Sequence, residues 1–261
     1  MEAERRVDTK GLEQLLRHVP DLSTPRGRLR MGLYFLGWFL LVTLYFVTSD
    51  NIPTWSIDSQ IVIVALGYLV LSFFFSRKKI YQERYEELAF RNAWAHYGIP
   101  GLAIMMAAVA HTGYMNGPFV PRGWWTIVFD VSGWLALLIG AGMWIRSMVT
   151  FGLDNLALLY VYFPEEGKLV ESNIYSILRH PVYAAALRVL IGLALLNGNG
   201  NSIAFIVFAP LGLYGWIRLV EERELIERFG GAYLDYRKRV PPLWPRAQDY
   251  GKFFRFWLTG K

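Results

Sequence analysis

The chain has 261 residues, of which 54% are hydrophobic and only 18% charged. A soluble domain carries about 25% charged residues, so the composition argues against a soluble protein and indicates a membrane protein. There is no cysteine, which excludes disulfides, thiolate nucleophiles and cysteine metal ligands. The four histidines are scattered without the spacing of metal ligands, so we expect no metal site.

Six apolar runs are each near the length of about 17–25 residues that crosses a bilayer. They cover residues 31–47, 61–75, 99–113, 124–145, 182–198 and 202–220. With a cytoplasmic N-terminus, 25 of the 27 Lys and Arg residues fall in cytoplasmic segments, as the positive-inside rule requires. We therefore predict an all-α polytopic membrane protein with about six transmembrane helices and both termini cytoplasmic. The net charge of +6 reflects this topology and contact with anionic membrane lipids, and we expect no nucleic acid partner.

The apolar runs divide the chain into three regions. Residues 1–30 form a cytoplasmic N-terminal segment, in which apolar residues recur at helical spacing between positions 12 and 19. This pattern predicts a short amphipathic helix that lies on the membrane or on the protein. Residues 31–145 form a four-span membrane region. Residues 146–261 hold the last two spans, a long polar loop and a charged cytoplasmic tail.

Four smaller features lead to further expectations. Residues 158–170 place turn residues between two apolar stretches, which favours a short hairpin. His111 and Asp130 both lie within apolar runs and are expected to pair. The aromatic and basic tail at 253–257 is expected to rest on the membrane surface. Residues 197–201 read Asn-Gly-Asn-Gly-Asn, which predicts a tight turn joining the last two spans as a helical hairpin.

The segment Arg179–Tyr183 reads Arg-His-Pro-Val-Tyr at the start of the fifth apolar run. Pro181 suits the first turn of a helix, because its missing N–H costs nothing there. The free N–H groups of that turn favour an anion, and Arg179 and His180 add donors. The pattern therefore favours a bound carboxylate; the alternative is a capped helix whose Arg and His lie among lipid head groups.

A pair of carboxylates, Glu221 and Glu222, ends the last apolar run. The tight turn returns them to the membrane face at which Pro181 begins its helix. Adjacent carboxylates there can bind a ribose diol, an ammonium group or another cationic centre. The alternative is a solvated helix end with salt bridges to neighbouring arginines. Because both clusters lie on one face of one hairpin, we interpret them as one site.

Residues 168–245 resemble the isoprenylcysteine carboxyl methyltransferase and phospholipid methyltransferase superfamily of integral membrane enzymes. The resemblance rests on Leu169-Val170 before Tyr175, on Arg179–Tyr183, and on Glu221-Glu222-x-x-Leu225 followed by Phe229-Gly230, Tyr233, Tyr236 and Val240-Pro241. The chain departs from the family at Asn173, where the family often has glycine, and at Ala184–Ala186, where a glycine is common. Asn tolerates the left-handed conformation better than most residues.

The resemblance implies that residues 146–261 form a methyltransferase-like region, with S-adenosylmethionine bound on the cytoplasmic side and a lipophilic methyl acceptor that arrives through the membrane. The residues expected to bind the cofactor are Val170, Tyr175, Arg179, His180, Pro181, Tyr183, Glu221 and Glu222. Glu222 is also expected to orient the acceptor, and Arg228 to pair with an acceptor carboxylate. Arg188 lies inside an apolar run, where ionisable residues usually face a cavity or partner. It is expected to donate to the acceptor or, alternatively, to snorkel to the interface.

The identity of the acceptor stays open at this level: a prenylcysteine-like carboxylate, a phospholipid amine, or a small thiol or other lipophile. Two other classes of protein are also compatible with the pattern. One is a membrane reductase of the sterol-reductase type that uses NADPH, although Glu221 and Glu222 argue against the added phosphate. The other is a non-catalytic lipid-binding or scaffold protein.

Overall fold

The computed structural model of the protein describes residues 11–52, 54–121 and 123–260. Its α-helices are α1 (Leu12–His18), α2 (Pro25–Ser49), α3 (Trp55–Ser76), α4 (Lys78–Tyr85), α5 (Ala89–Ala93), α6 (Ile99–His111), α7 (Trp124–Phe151), α8 (Leu153–Leu156), α9 (Pro181–Asn197), α10 (Gly200–Trp216), α11 (Glu222–Phe229), α12 (Gly231–Arg239) and α13 (Tyr250–Thr259). Wide π-helical turns join α5 to α6 at Trp94–Gly98 and α10 to α11 at Ile217–Glu221. Within these described ranges the chain forms no β-strand.

Five helical segments in the described chain are long and apolar enough to cross a membrane: Pro25–Ser49, Trp55–Ser76, Lys78–His111, Trp124–Phe151 and Gly200–Phe229. The sixth apolar helix, α9, has 17 residues. At 1.5 Å per residue it is about 26 Å long, slightly shorter than the roughly 30 Å hydrocarbon core. Leu40, Ile145 and Phe208 are all more than half exposed, as lipid-facing side chains are. The predicted all-α polytopic fold is confirmed.

Helix α9 lies in the interior and packs most closely against α7. A Cβ atom on Gly140 would lie 2.9 Å from the carbonyl oxygen of Ala185, and one on Gly192 would lie 2.8 Å from that of Gly133. Such distances leave no room for a side chain, so these glycines let the two backbones approach. Because α9 begins at Pro181, this packing determines where its N-terminus lies relative to α7.

The predicted tight turn between the last two spans is confirmed. Gly198 ends α9 in the left-handed conformation with φ +68°. The Asn199 side chain then caps α10 by accepting a hydrogen bond from the Ser202 N–H at 2.9 Å. Helix α10 therefore returns beside α9. The π-helical turn and α11 lie at the same end of the molecule as Pro181.

The expected pair between His111 and Asp130 is wrong. Nε2 of His111 lies 3.1 Å from Oδ2 of Asp50, and Nδ1 lies 2.8 Å from Oε1 of Gln60. The imidazole also stacks on Phe46 at 3.8 Å between ring centroids. His111 thus joins α2, α3 and α6, whose packing brings Asp50 to it, whereas Asp130 is exposed on α7.

The predicted hairpin between residues 158 and 170 is also wrong. The segment forms short 3₁₀ turns at Leu159–Val161 and Pro164–Glu166. Side-chain hydrogen bonds hold it: the Tyr162 hydroxyl donates to the Phe74 carbonyl of α3 at 2.9 Å. The amide of Gln82 in α4 donates to the Tyr162 carbonyl at 3.0 Å. The loop is therefore packed onto neighbouring helices, and it needs no strand pairing.

Both ends of the described chain pack on the protein. In and just after α1, Leu15 and Val19 are buried, so the apolar face of this helix meets protein. In α13, Phe253 and Phe256 are buried in the same core cluster as Met143 of α7. One face of α13 therefore packs on α7, whereas Phe254 and Leu258 are exposed, and the position of this tail on the membrane surface stays a prediction.

We expect Gly140→Leu to separate α7 from α9. The new side chain would have to occupy the space of the α9 backbone, and overpacking of this kind costs about 1–3 kcal/mol. Gly37→Leu in α2 is the matched control, because a Cβ atom there would meet nothing within 4 Å. Thermal unfolding in detergent should show a lower Tm for Gly140→Leu alone. Equal Tm values for both variants would contradict the close helix packing.

Candidate active site

A cleft opens where α9 begins and α10 ends. The Lys, Arg, His and Glu residues of its lining are Lys168, Arg179, His180, Glu221, Glu224 and Arg228. The site residues predicted from the sequence that line it are Val170, Tyr175, Arg179, His180, Pro181, Tyr183, Glu221 and Arg228. Among the described residues that form this lining, Glu222 and Arg188 are not included. The cleft therefore brings most of the predicted site together and leaves two predicted residues outside it.

Arg179 is tied into the wall of the cleft. Its Nη2 and Nε donate to Oε1 of Glu222 at 2.6 and 3.0 Å, and its Nη1 donates to the Arg237 carbonyl at 2.9 Å. The side chains of Arg179 and Glu222 are 5% and 0% exposed. The Arg179 guanidinium is therefore largely occupied by protein partners. Removal of either member would leave an uncompensated buried charge.

The backbone before α9 is held by a segment whose role sequence reasoning missed. The N–H groups of Arg179 and His180 donate to the carbonyls of Pro241 and Pro242 at 2.9 and 3.1 Å. The one signal in the sequence was Val240-Pro241, which belongs to the family resemblance but which carried no assigned role. These bonds join the start of α9 to the segment that follows α12.

His180 lies between the two glutamates. Its Nε2 is 3.3 Å from Oε1 of Glu222, and its Nδ1 is 3.6 Å from Oε1 of Glu221. Burial alone would lower the pKa of His180, but the carboxylates of Glu221 and Glu222 outweigh burial and hold this pKa above its usual value. The imidazolium form is therefore favoured, and His180 adds positive charge to the polar end of the cleft.

Glu221 and Glu222 are adjacent in sequence but have different surroundings. The π-helical turn Ile217–Glu221 widens the helix directly before α11, a distortion that is frequent at functional sites. Glu222 is fully buried against Arg179, whereas Glu221 lines the cleft. Oε2 of Glu221 is buried and has no hydrogen-bond partner in the described part of the chain. A buried acceptor left unpaired is costly, so this oxygen is available to a ligand donor.

Arg228 provides the complementary free group. Its Nη2 donates to Oε2 of Glu224 at 3.2 Å, and its guanidinium lies 4.6 Å from the centre of the Phe229 ring. Its Nε is buried and unpaired as far as the described residues go. The cleft thus contains a free acceptor at Glu221 and a free donor at Arg228.

Aromatic rings form much of the remaining wall. Tyr175 stacks on Phe151 with ring centroids 4.6 Å apart, and Tyr183 meets Trp216 edge-on at 5.9 Å. Asn173, which begins the short turn before Tyr175, has φ +55°. It adopts the left-handed conformation that glycine also adopts readily, so the departure from the family pattern at this position preserves the turn.

Arg188 of α9 packs against the segment that follows α12. Its Nη1 donates to the Ala184 carbonyl at 2.8 Å, and its guanidinium lies 4.4 Å from the centre of the Trp244 ring and 5.8 Å from that of Phe253. The residue is 7% exposed. Its environment is therefore an aromatic contact between α9 and the chain that follows Pro242.

Comparison with known proteins adds independent information. The family model for phospholipid methyltransferase matches residues 130–232, which include α9, α10 and the glutamate pair. Protein-S-isoprenylcysteine O-methyltransferase B of Arabidopsis thaliana is 28% identical over 152 residues, which are 56% of this chain and 72% of that protein. Protein-S-isoprenylcysteine O-methyltransferase of Saccharomyces cerevisiae is 22% identical over 222 residues, 85% of this chain and 92% of that protein.

A third relative carries a different description. The cobalt-zinc-cadmium resistance protein CzcN of Cupriavidus metallidurans is 31% identical over 114 residues, 44% of this chain and 52% of that protein. No solved structure gives a significant match. The family-model match and the similarity to two isoprenylcysteine O-methyltransferases agree with the motif that lines the cleft, and together they support a relationship of this chain to the isoprenylcysteine and phospholipid methyltransferase family of integral membrane enzymes.

Proposed function

We propose that the protein is a membrane methyltransferase that binds S-adenosylmethionine in the cleft and methylates a lipophilic acceptor, a prenylcysteine-like carboxylate or a lipid head group. One observation carries the proposal. The cleft that holds the free oxygen of Glu221 and the free nitrogen of Arg228 also extends along apolar residues to Leu102, which is 40% exposed on α6. A water-soluble cofactor and a membrane-borne acceptor can therefore meet in it.

The residues of the cleft fit S-adenosylmethionine. Its amino group and ribose hydroxyls are donors, which the free Oε2 of Glu221 would accept. Its carboxylate suits the start of α9, where the Ala184 N–H makes the first intrahelical bond, to the His180 carbonyl at 2.9 Å. The N–H groups of Val182 and Tyr183 precede that bond and have no acceptor within the helix.

When bound, the cofactor supplies a methyl group activated by a sulfonium charge. The chain contributes the surroundings: the rings of Tyr183 and Trp216 line the cleft and would attract positive charge. The apolar lining excludes water, and the fixed start of α9 orients the bound groups. Methyl transfer depends on such alignment and desolvation more than on acid–base help.

A carboxylate acceptor matches the cleft well. The unpaired Nε of Arg228 would donate to it, and a planar guanidinium suits the geometry of a carboxylate. A carboxylate is already deprotonated and needs no general base, whereas an amine acceptor must first lose a proton. Arg228 is therefore the residue that we assign to the acceptor.

Glu222 and Arg188 would act through other residues. Glu222 holds Arg179 and His180, and so positions the start of α9. Arg188 packs on Trp244 and so holds the segment that follows α12. In this segment, the carbonyls of Pro241 and Pro242 accept hydrogen bonds from the backbone N–H groups of Arg179 and His180. Both are positioning residues in this proposal.

Ligand-dependent melting tests the cofactor. We expect S-adenosylmethionine and S-adenosylhomocysteine to raise the Tm of the purified protein, because a ligand that binds only the folded state stabilises it. NADPH should leave the Tm unchanged. A rise with NADPH alone would favour the reductase alternative, and no rise with any of the three would favour a non-catalytic protein.

The two glutamates should respond differently to removal of their charge. Glu221→Gln loses a charge-assisted hydrogen bond of about 1.5–3 kcal/mol, so S-adenosylmethionine affinity should fall by roughly 10- to 150-fold with an unchanged ligand-free Tm. Glu222→Gln should instead lower the ligand-free Tm, because breaking a buried ion pair costs about 3–5 kcal/mol. Calorimetric titration and thermal unfolding measure both effects. The reverse pattern would contradict the assignment of Glu221 to the cofactor.

Arg228→Lys should separate acceptor binding from cofactor binding. The lysine keeps the charge but loses the planar fork, so kcat/KM for N-acetyl-S-farnesylcysteine should fall about tenfold, the equivalent of one such hydrogen bond. S-adenosylmethionine affinity should stay normal. Arg223→Lys is the control, since the Arg223 side chain is 78% exposed and pairs with Glu227. Equal turnover in both variants would remove Arg228 from the acceptor site.

We propose that both termini lie in the cytoplasm, because this orientation places 25 of 27 basic residues there. The absence of native cysteine allows single-cysteine labelling. An impermeant maleimide applied to intact cells should not label Lys261→Cys. It should label Phe119→Cys, which replaces a side chain that is 79% exposed in the loop before α7. Labelling at position 261 alone would show that the orientation is inverted.

A further inference from the structure

A strip along one helical segment lines the cleft and ends at an exposed apolar side chain. Trp94, Gly98 and Leu102 all line the cleft, and their four-residue spacing places them on one side of the continuous helix from α5 to α6. The strip is about 12 Å long at 1.5 Å per residue. Leu71 and Phe75 of α3 line the same space. The strip therefore forms one wall of an apolar groove.

Gly98 is the narrow point of this wall. A Cβ atom on Gly98 would lie 2.1 Å from Cε3 of the Trp94 indole, far closer than two carbon atoms can approach. The indole has little freedom to retreat, because it packs edge-on against Phe74 at 5.8 Å and stacks on Phe90 at 6.0 Å. Both phenylalanines are fully buried. A side chain at position 98 would therefore push the indole into the groove.

We infer that Gly98, together with Trp94, determines the length of the apolar chain that the acceptor site accommodates. The inference rests on the proposed function, a lipophilic acceptor in this cleft, and adds the residues that select among acceptors. The absent side chain at Gly98 keeps the groove open from the Trp94 indole to Leu102. A long acceptor chain lies along this stretch, whereas a short chain does not reach all of it. Gly98 is thus a specificity-determining residue and takes no part in methyl transfer.

Chain-length selectivity tests this inference. The acceptors are N-acetyl-S-geranylcysteine, N-acetyl-S-farnesylcysteine and N-acetyl-S-geranylgeranylcysteine, each assayed with S-adenosylmethionine. For Gly98→Ala, the ratio of kcat/KM between the longest and the shortest acceptor should fall about tenfold, in the range that one misplaced methyl-sized group produces in an apolar pocket. Gly37→Ala is the matched control, because its new methyl group meets nothing within 4 Å, and its ratio should equal that of the wild type.

A second variant distinguishes a filled groove from a damaged fold. Trp94→Phe shortens the ring system that collides with the new methyl group. The double variant Gly98→Ala, Trp94→Phe should therefore recover most of the lost selectivity for the longest acceptor. A uniform loss of activity with all three acceptors, without recovery in the double variant, would overturn the inference, because a length-selecting residue changes the ratio.

Parallel binding measurements separate this inference from the proposed function. Gly98→Ala should bind S-adenosylmethionine as tightly as the wild type does. If binding is normal and the acceptor ratio is also unchanged, the length-selecting role is overturned while the methyltransferase function stands. If the wild-type protein binds no S-adenosylmethionine, the cofactor proposal fails. If the wild type binds it but methylates none of the three acceptors, the acceptor assignment fails, and the length-selecting role fails with it.

Discussion

The buried ion pair between Arg179 and Glu222 is the contact on which the rest of the site depends. It joins the start of α9 to the start of α11, and Arg179 extends the connection to the Arg237 carbonyl at the end of α12. Such a pair gives little net stability over an apolar contact, but neither member can be lost alone without leaving a buried charge. The pair therefore specifies one relative position of three chain segments, and the cleft forms between them.

In this arrangement, the two adjacent glutamates have different surroundings. Glu222 faces the interior and completes the framework, whereas Glu221 lies in the wide turn of the helix and has one carboxylate oxygen without a partner among the described residues. His180 lies against both carboxylates, so it links the framework to the ligand-facing residue. Arg188 stabilises the same group of segments through its contact with Trp244. In the proposed site, the residues that would touch a ligand are thus held in place by residues that would not.

The membrane setting explains the shape of the cleft. Helix α9 is short and central, and the glycines of its contact with α7 let it lie deep among longer helices. Its polar N-terminus lies at the charged end of the cleft, while Leu102 at the other end of the apolar lining is exposed on the outer surface of α6. An environment with water at one end and lipid at the other suits a reaction whose two substrates differ in polarity.

The sequence alone determined the features that depend on local pattern. Six apolar runs predicted the helices, the Asn-Gly segment predicted the turn between α9 and α10, and Pro181 predicted the start of a helix. Each of these predictions rests on the composition and spacing of nearby residues, which do not depend on the tertiary structure. The motif around Arg179–Tyr183 and the paired glutamates likewise located the charged end of the cleft, because one tight turn suffices to bring both to the same end of the molecule.

Only the tertiary structure decided which partner each polar group has. Glu221 and Glu222 are adjacent residues of the same type, so the sequence does not tell them apart. Their environments differ because of the π-helical turn and the packing of Glu222 against Arg179. The sequence suggested Asp130 as the partner of His111, but the packing of α2 on α6 brings Asp50 to it instead. The collision that a side chain at Gly98 would make with Trp94 follows from rings packed behind the indole. These contacts join residues that are distant in sequence. The spacing of residues along the chain does not show which distant side chains will pack together, because that depends on how the helices are arranged in space.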